Sequence, residues 1–154
     1  MINGKKPLLG AVLIVKDEAL TIQKTINSFR NSGADATTVL DTGSTDGTQD
    51  LVRSSFSEPW RLLLVEEPFV DYAETRNRAL AIAEERSPTV FTLTLSADEV
   101  LVGSNELRAF LESHRDSSEG SYCVMMRSGP RQWPFPRILR PGAPHHLLKV
   151  LGEV

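Results

Sequence analysis

The sequence predicts an α/β fold in which a mostly parallel sheet is flanked by helices. Short apolar runs alternate along the chain with amphipathic stretches, the pattern of βαβ units. The runs are continuously apolar, as in Leu8 to Val15, so the strands are covered on both faces. Three of them end in polar, mostly acidic residues, which places those residues together if the strands run parallel.

The first strand, Leu8 to Val15, leads to Asp17, a residue suited to capping a helix with apolar positions Leu20, Ile22, Ile26 and Phe29. Asn31, Ser32 and Gly33 form a suitable stop. A second strand, Thr37 to Leu40, runs into the loop Asp41-Thr-Gly-Ser-Thr-Asp-Gly-Thr48, and a helix follows around Gln49 to Ser54. Arg61 to Val65 is a third strand, and Asp71 to Glu85 a helix ended by Ser87-Pro88. Val90 to Leu95 is a fourth strand, delivering Ser96-Ala97-Asp98-Glu99. Ser104 caps a helix carrying Leu107, Phe110 and Leu111, and Tyr122 to Met126 is a further strand. The remainder, rich in Pro, Arg and His, gives no element.

The 154 residues suffice for one domain, and 40% hydrophobic with 24% charged residues is ordinary for a soluble globular protein. A net charge of −3 supplies no basic field for nucleic acid. Cys123 is the single cysteine, which excludes an intrachain disulfide and fits a reducing, cytoplasmic setting. The Leu8 to Val15 run is too short for a bilayer span, which needs about 20 residues. Although it follows Lys5, Lys6 and Pro7, the polar Lys16-Asp17-Glu18 stands where a signal peptide has its small-residue cleavage site.

Carboxylates gathered on one sheet edge repel unless a cation or hydrogen-bond donor lies between them. A divalent ion, or a base or ribose with donors, meets that need. Each residue also has a plainer role. Glu18 suits the first turn of a helix, Asp41 suits a turn, and Asp98 and Glu99 suit a solvated strand end. Arg76 is either an ion-pair partner on its helix or a planar fork for phosphate oxygens. His145 and His146 are adjacent without a partner at metal-ligand spacing, and read as a loop.

Four stretches together resemble bacterial, inverting glycosyltransferases of family 2, which have a GT-A (Rossmann-like) fold. They are Ala11-Val-Leu-Ile-Val-Lys-Asp-Glu18, Val39-Leu-Asp-Thr-Gly-Ser-Thr-Asp-Gly-Thr48, Ala73-Glu-Thr-Arg-Asn-Arg-Ala-Leu80 and Leu93-Thr-Leu-Ser-Ala-Asp-Glu-Val-Leu101. The second and fourth are the specific ones, and the resemblance covers roughly residues 8 to 102. It implies a domain, residues 1–154, that binds a nucleoside-diphosphate sugar, usually a UDP-sugar, and transfers the sugar to an acceptor hydroxyl that the resemblance does not name. Val15 and Glu18 would lie beside the nucleoside, Asp41 at the nucleobase, and Arg76 at the phosphates. Asp98 corresponds to the last aspartate of the family's Asp-x-Asp element, which holds Mg2+ or Mn2+ on the diphosphate; Ser96 stands at the first. Pro136-Arg-Ile-Leu-Arg-Pro-Gly142 resembles the family's later Phe-Arg segment, after which Gly152-Glu153 stands where a His-Glu pair is expected. No catalytic base is assigned, and the acceptor-binding end is expected to be curtailed. No transmembrane segment is expected, and peripheral membrane contact stays open.

Two rivals follow from the same residues. A non-catalytic nucleotide-sugar-binding module, or a fragment of a larger transferase, is favoured by Ser96 and Gly152. An aspartic protease is suggested by Val39-Leu-Asp-Thr-Gly-Ser-Thr45, with Val150-Leu-Gly152 as its later element. Helices on both sides of the motif argue against a nearly all-β protease.

Overall fold

The computed structural model describes residues 4–31 and 33–142 of the chain. Six strands form one sheet: β1 (Leu9–Val15), β2 (Ala36–Asp41), β3 (Leu62–Glu66), β4 (Phe91–Ser96), β5 (Ser121–Ser128) and β6 (Arg131–Leu139), in the order β3-β2-β1-β4-β6-β5. The first four are parallel, while β6 runs antiparallel to both β4 and β5. Helices α1 (Ile22–Phe29), α2 (Thr48–Ser54), α3 (Tyr72–Arg86) and α4 (Ser104–Ser113) provide the outer layers, and a 3-10 turn, Pro59–Arg61, precedes β3. The mostly parallel, helix-flanked sheet is as the apolar runs predicted.

The central position of β1 explains its composition. Leu9, Ala11, Leu13 and Val15 pack with Ile22, Ile26 and Phe29 of α1, Val52 of α2 and Leu111 of α4. On the other face, Val12 and Ile14 join Leu40, Ala79, Ile82 and Ala83. Successive side chains of a strand point to opposite faces, so a strand between two helical layers must be apolar throughout. Strand order reverses at β1, with β2 and β3 on one side and β4 on the other. The carboxyl ends beside such a switch point open a crevice for ligands.

Three local readings need correction. Asp17 does not cap α1: it takes a left-handed backbone (φ 53°), Thr21 occupies the N-cap, and Leu20 is fully exposed (100%). Its carboxylate is used elsewhere, as described below. Gly103, at φ 80°, rather than Ser104, is the N-cap of α4. The unassigned Pro-rich stretch contains β6. Its two prolines survive because β6 meets β4 only at Leu139 and Ile138, which leaves Pro134 and Pro136 on an effectively free edge. His145, His146 and Gly152-Glu153 lie outside the described residues, as does Val150-Leu-Gly152. Asp41-Thr-Gly43 closes a parallel strand inside an α/β sheet, which removes the aspartic protease.

Gly10 shows how tightly β1 is enclosed. A Cβ there would stand 2.9 Å from Thr89 Oγ1 and 3.3 Å from Thr89 Cγ2. Gly10→Ala is expected to lower stability by about 1–3 kcal/mol, the usual cost of overpacking. Urea denaturation of Gly10→Ala, Thr89→Ala and the double variant checks this: the loss from Gly10→Ala should shrink in the Thr89→Ala background.

Candidate functional site at the carboxyl edge of the sheet

Two loops meet beyond β1 and β2, and their polar residues serve largely to join them. Asp17 N donates to Ser44 Oγ (2.8 Å), and Thr45 N returns a bond to Asp17 Oδ1 (2.7 Å). Glu18 N donates to Thr48 Oγ1 (2.9 Å), and Ala19 N to Asp46 Oδ2 (3.0 Å). Asp46 Oδ1 accepts from Thr48 N (3.0 Å). The bond from the Thr48 hydroxyl is the main cause holding the exposed Asp46 carboxyl below its ordinary value, with those amides adding to it. The Gly- and hydroxyl-rich composition of residues 42–48 is therefore partly structural. Gly43 and Gly47 take positive φ (113° and 91°), which permits the loop's reversals.

Asp41 ends β2 beneath these loops and is wholly buried. Its Oδ1 accepts from Gly43 N (2.9 Å), Ser44 N (2.9 Å) and Gln49 Nε2 (3.2 Å). Its Oδ2 is buried with no hydrogen-bond partner among the described residues. One oxygen is thus the turn-former, and the other is an acceptor for an incoming N–H or O–H; leaving such an oxygen unpaired is costly. Val15 is core-buried, and its carbonyl accepts from Thr42 N (3.0 Å) and Thr42 Oγ1 (3.2 Å). Glu18 is half-buried, its Oε2 accepting from Thr21 Oγ1 (3.2 Å).

The turn after β4 is fixed from two directions. Thr25 Oγ1 on α1 donates to Ala97 O (2.8 Å), and Leu101 N donates to Ser28 Oγ (2.9 Å). Glu99 folds back, with Oε1 accepting from Ser96 N (2.7 Å) and Oε2 from Arg137 Nη2 (2.9 Å). Asp98 is exposed and takes no part in these bonds. Arg76 reaches the same corner from α3. Burial lowers its guanidinium below the usual range; Arg137 lowers it further and Glu99 opposes both. Among the described residues Arg76 forms no ion pair along α3, and its neighbour Arg78 reaches off the helix to Glu67 at 2.8 Å. Beside Arg76, Asn77 Oδ1 is buried without a partner among the described residues.

The structure thus gathers Glu18 and Asp41 at one corner and Arg76, Ser96 and Asp98 around the end of β4. Sequence reasoning stopped short of Glu99, named only as a strand end, and of Gln49 and Arg137. Arg137 lay in a stretch whose prolines hide the strand. No group of three or more His, Cys, Asp or Glu side chains able to hold a metal occurs among the described residues. A separate cavity of about 570 Å³ at the amino edge, lined by Lys5, Lys6, Asp35, Arg108, Glu112 and Arg115, has its arginines paired, Arg108 with Asp35 and Arg115 with Glu112.

In open α/β sheets ligands bind beyond the carboxyl ends of the strands at the switch point, which is where these loops lie. Residues 11–149 match Glycosyl transferase family 2, and the chain belongs to that family. No curated protein matches it by sequence. Among solved structures it is similar to S. aureus TarS 1–349 in complex with UDP (TM-score 0.65, 16% identity, covering 83% of this chain and 38% of that one). It is also similar to the mannosyltransferase PcManGT from Pyrobaculum calidifontis in complex with GDP-Man and Mn2+ (0.63, 22%, 80% and 37%). Glucosyl-3-phosphoglycerate synthase from Mycobacterium tuberculosis, in complex with Mn2+, UDP and glucosyl-3-phosphoglycerate, is a third (0.53, 20%, 77% and 43%). The fold is GT-A, and the chain spans less than half the length of each of these three.

The Asp46 clasp has a pH signature. Its folded-state value lies below the unfolded one, so its contribution is present above about pH 3.9 and is lost as pH falls through the depressed value. The amide shifts of Ala19 and Thr48 should titrate together in NMR with a midpoint below about 3.9. A midpoint at or above it would contradict the clasp, and Asp46→Asn should abolish the titration.

Proposed function

We propose that this chain is the nucleotide-sugar-binding part of a bacterial, inverting glycosyltransferase that moves a sugar from a nucleoside-diphosphate sugar, a UDP-sugar by preference, to an acceptor hydroxyl. The observation that carries the reading is the buried Asp41 carboxylate, with one oxygen held by its own loop and the other unpaired, in a family 2 chain. Asp41 would accept a hydrogen bond from the nucleobase, with the Val15 strand end and Glu18 beside the nucleoside. Arg76 would meet the phosphates, next to Ser96 at the end of β4. Residues 1–154 would form one such domain. No base is assigned, and the acceptor half of the activity is supported only by family membership.

Asp98 fits a divalent cation. It is exposed and uncommitted, and Mg2+ needs only one or two carboxylates when substrate phosphates and water complete its shell. Mg2+ or Mn2+ held there would neutralise charge on the departing nucleoside diphosphate. PcManGT, solved with GDP-Man and Mn2+, supports a divalent cation as the group involved. A cytoplasmic setting suits the exposed free thiol of Cys123. Among the described residues no helix is long and apolar enough to cross a membrane.

A binding module without turnover is the second reading. It is favoured by Ser96, which brings no carboxylate, and by Glu99, whose carboxylate is already engaged by Ser96 N and Arg137.

Thermal shift with UDP, UDP-sugars and GDP-mannose, with and without Mn2+, tests the proposal. A ligand at 100 times its dissociation constant adds about 2.7 kcal/mol. Asp41→Ala is expected to weaken nucleotide binding with or without Mn2+, by about 1.5–3 kcal/mol. Asp41→Asn should keep the loop bonds yet still lose binding, because its amide offers a donor where an acceptor is needed. Asp98→Ala should remove only the metal-dependent part. Equal, metal-independent losses from Asp41→Ala and Asp98→Ala would contradict the assigned roles, and no shift with any nucleotide would end the proposal.

A further inference from the structure

The amino end of the sheet carries more positive charge than its own carboxylates balance. The cavity of about 570 Å³ there is lined by Lys5 and Lys6 ahead of β1, Asp35 ahead of β2, Arg108 and Glu112 of α4, and Arg115 just beyond α4. Four cations thus face two carboxylates, in a chain whose net charge is −3. A groove of about 530 Å³ adjoins the cavity through Lys5, Lys6 and Arg115. It adds Arg140 and Asp116, one charge of each sign, so the excess is unchanged.

Both carboxylates of the cavity are already committed. Asp35 Oδ2 accepts from Leu8 N (2.9 Å), Leu9 N (3.2 Å) and Arg108 Nη1 (3.1 Å). Glu112 accepts from Arg115 Nε (3.3 Å) and Arg115 Nη2 (2.9 Å). The bond from Arg115 is the main cause holding the exposed Glu112 carboxyl below its ordinary value, and Lys5 and Arg108 add to it. The guanidinium groups also tie the walls together: Arg108 Nη1 to Gly33 O (3.0 Å), Arg115 Nη1 to Lys6 O (2.8 Å) and Arg140 Nη1 to Arg115 O (3.2 Å). These arginines are structural pins. Lys5 and Lys6 are exposed, and neither ammonium group forms a salt bridge among the described residues. The backbone beside them is fixed, with Pro7 O accepting from Val90 N (2.8 Å) and Leu8 O from Phe91 N (2.9 Å).

Two unmatched lysines therefore stand on a fixed backbone beside a cavity of ligand size. Their charge matches a phosphate monoester, which carries about −1.5 to −2 at neutral pH. Lysine meets phosphate as a point charge and needs no fixed fork.

We propose that the amino-edge cavity binds a phosphate monoester through Lys5 and Lys6, at a site separate from the crevice at the carboxyl edge. The seven residues of β1 put about 20 Å between the two, at about 3.3 Å per residue. The site does not depend on the nucleotide-sugar reading. A free sugar or glycerol phosphate and the headgroup of phosphatidic acid present the same chemistry to it.

NMR titration of the whole chain with glycerol 3-phosphate tests the site, and vesicle flotation identifies the source of the phosphate. Glycerol 3-phosphate should shift the amides of Lys6, Leu8, Asn105 and Ala109 saturably and leave those of Gly43 and Ser44 unmoved; glycerol should shift none. Replacing both lysines, Lys5→Gln with Lys6→Gln, should weaken binding about tenfold or more. The melting temperature should hold, because neither ammonium group is part of the bonded frame, and Lys5→Arg with Lys6→Arg should retain binding. Flotation with phosphatidic acid vesicles, absent with phosphatidylcholine alone and lost in the double Gln variant, assigns the site to a headgroup. Titration by glycerol 3-phosphate without flotation assigns it to a free ligand. The proposal is overturned if neither glycerol 3-phosphate nor phosphatidic acid vesicles bind, if the shifts fall at Gly43 and Ser44 instead, or if the double Gln variant binds like wild type.

Discussion

A carboxylate buried at the end of a parallel strand is the constraint around which the upper edge of this protein is organised. Asp41 cannot reach solvent, so its charge must be met by donors nearby. Two come from the backbone of the loop that follows it, and a third from Gln49 on the next helix. That arrangement forces the chain to fold back over β2, and the returning loop is then clasped to the loop after β1 through Ser44, Thr45, Asp46 and Thr48. The glycines and small hydroxyls of this segment are there because the backbone must turn sharply and supply its amides. One Asp41 oxygen has no partner among the described residues after all of these donors are used.

Electrostatics divides the edge into two regions with different tasks. The corner above β1 and β2 holds Asp17, Glu18, Asp41 and Asp46 and is matched almost wholly by backbone amides and hydroxyls, which suits recognition of a group rich in donors. The corner beyond β4 holds Arg76 and Arg137 against Glu99, which suits a group rich in acceptors. A nucleoside diphosphate carries both chemistries along one molecule: a base and ribose with donors at one end, phosphate oxygens at the other. The order of the two corners across β1 therefore matches the order of those groups in a nucleotide laid over the switch point.

Legibility in the sequence followed the physics of each segment. Strands β1, β2 and β4 were readable because burial on both faces leaves continuous apolar runs with sharp polar ends. The start of α1 was misread because Asp17, a good cap by type, gives its carboxylate to Thr45 N across the site, a long-range bond that local propensity does not contain. Leu20 fell on helical spacing by accident and is exposed. β6 was hidden by Pro134 and Pro136, which are tolerated only because its neighbour pairs with it so briefly. Asp41 and Arg76 were named from motif context, and the structure puts Asp41 at the buried end of β2 and Arg76 on α3. The inward turn of Glu99 was not legible because it depends on Arg137, a residue 38 positions away. The histidine pair and the last stretch lie outside the described residues.

A crystal structure of the chain with UDP and Mn2+ tests the central claim most directly. The uracil is expected against the free oxygen of Asp41 and the diphosphate beside Arg76, with Mn2+ on the Asp98 side. UDP seated instead at the amino edge near Lys5 and Arg108, or a base that leaves Asp41 Oδ2 untouched, would contradict it.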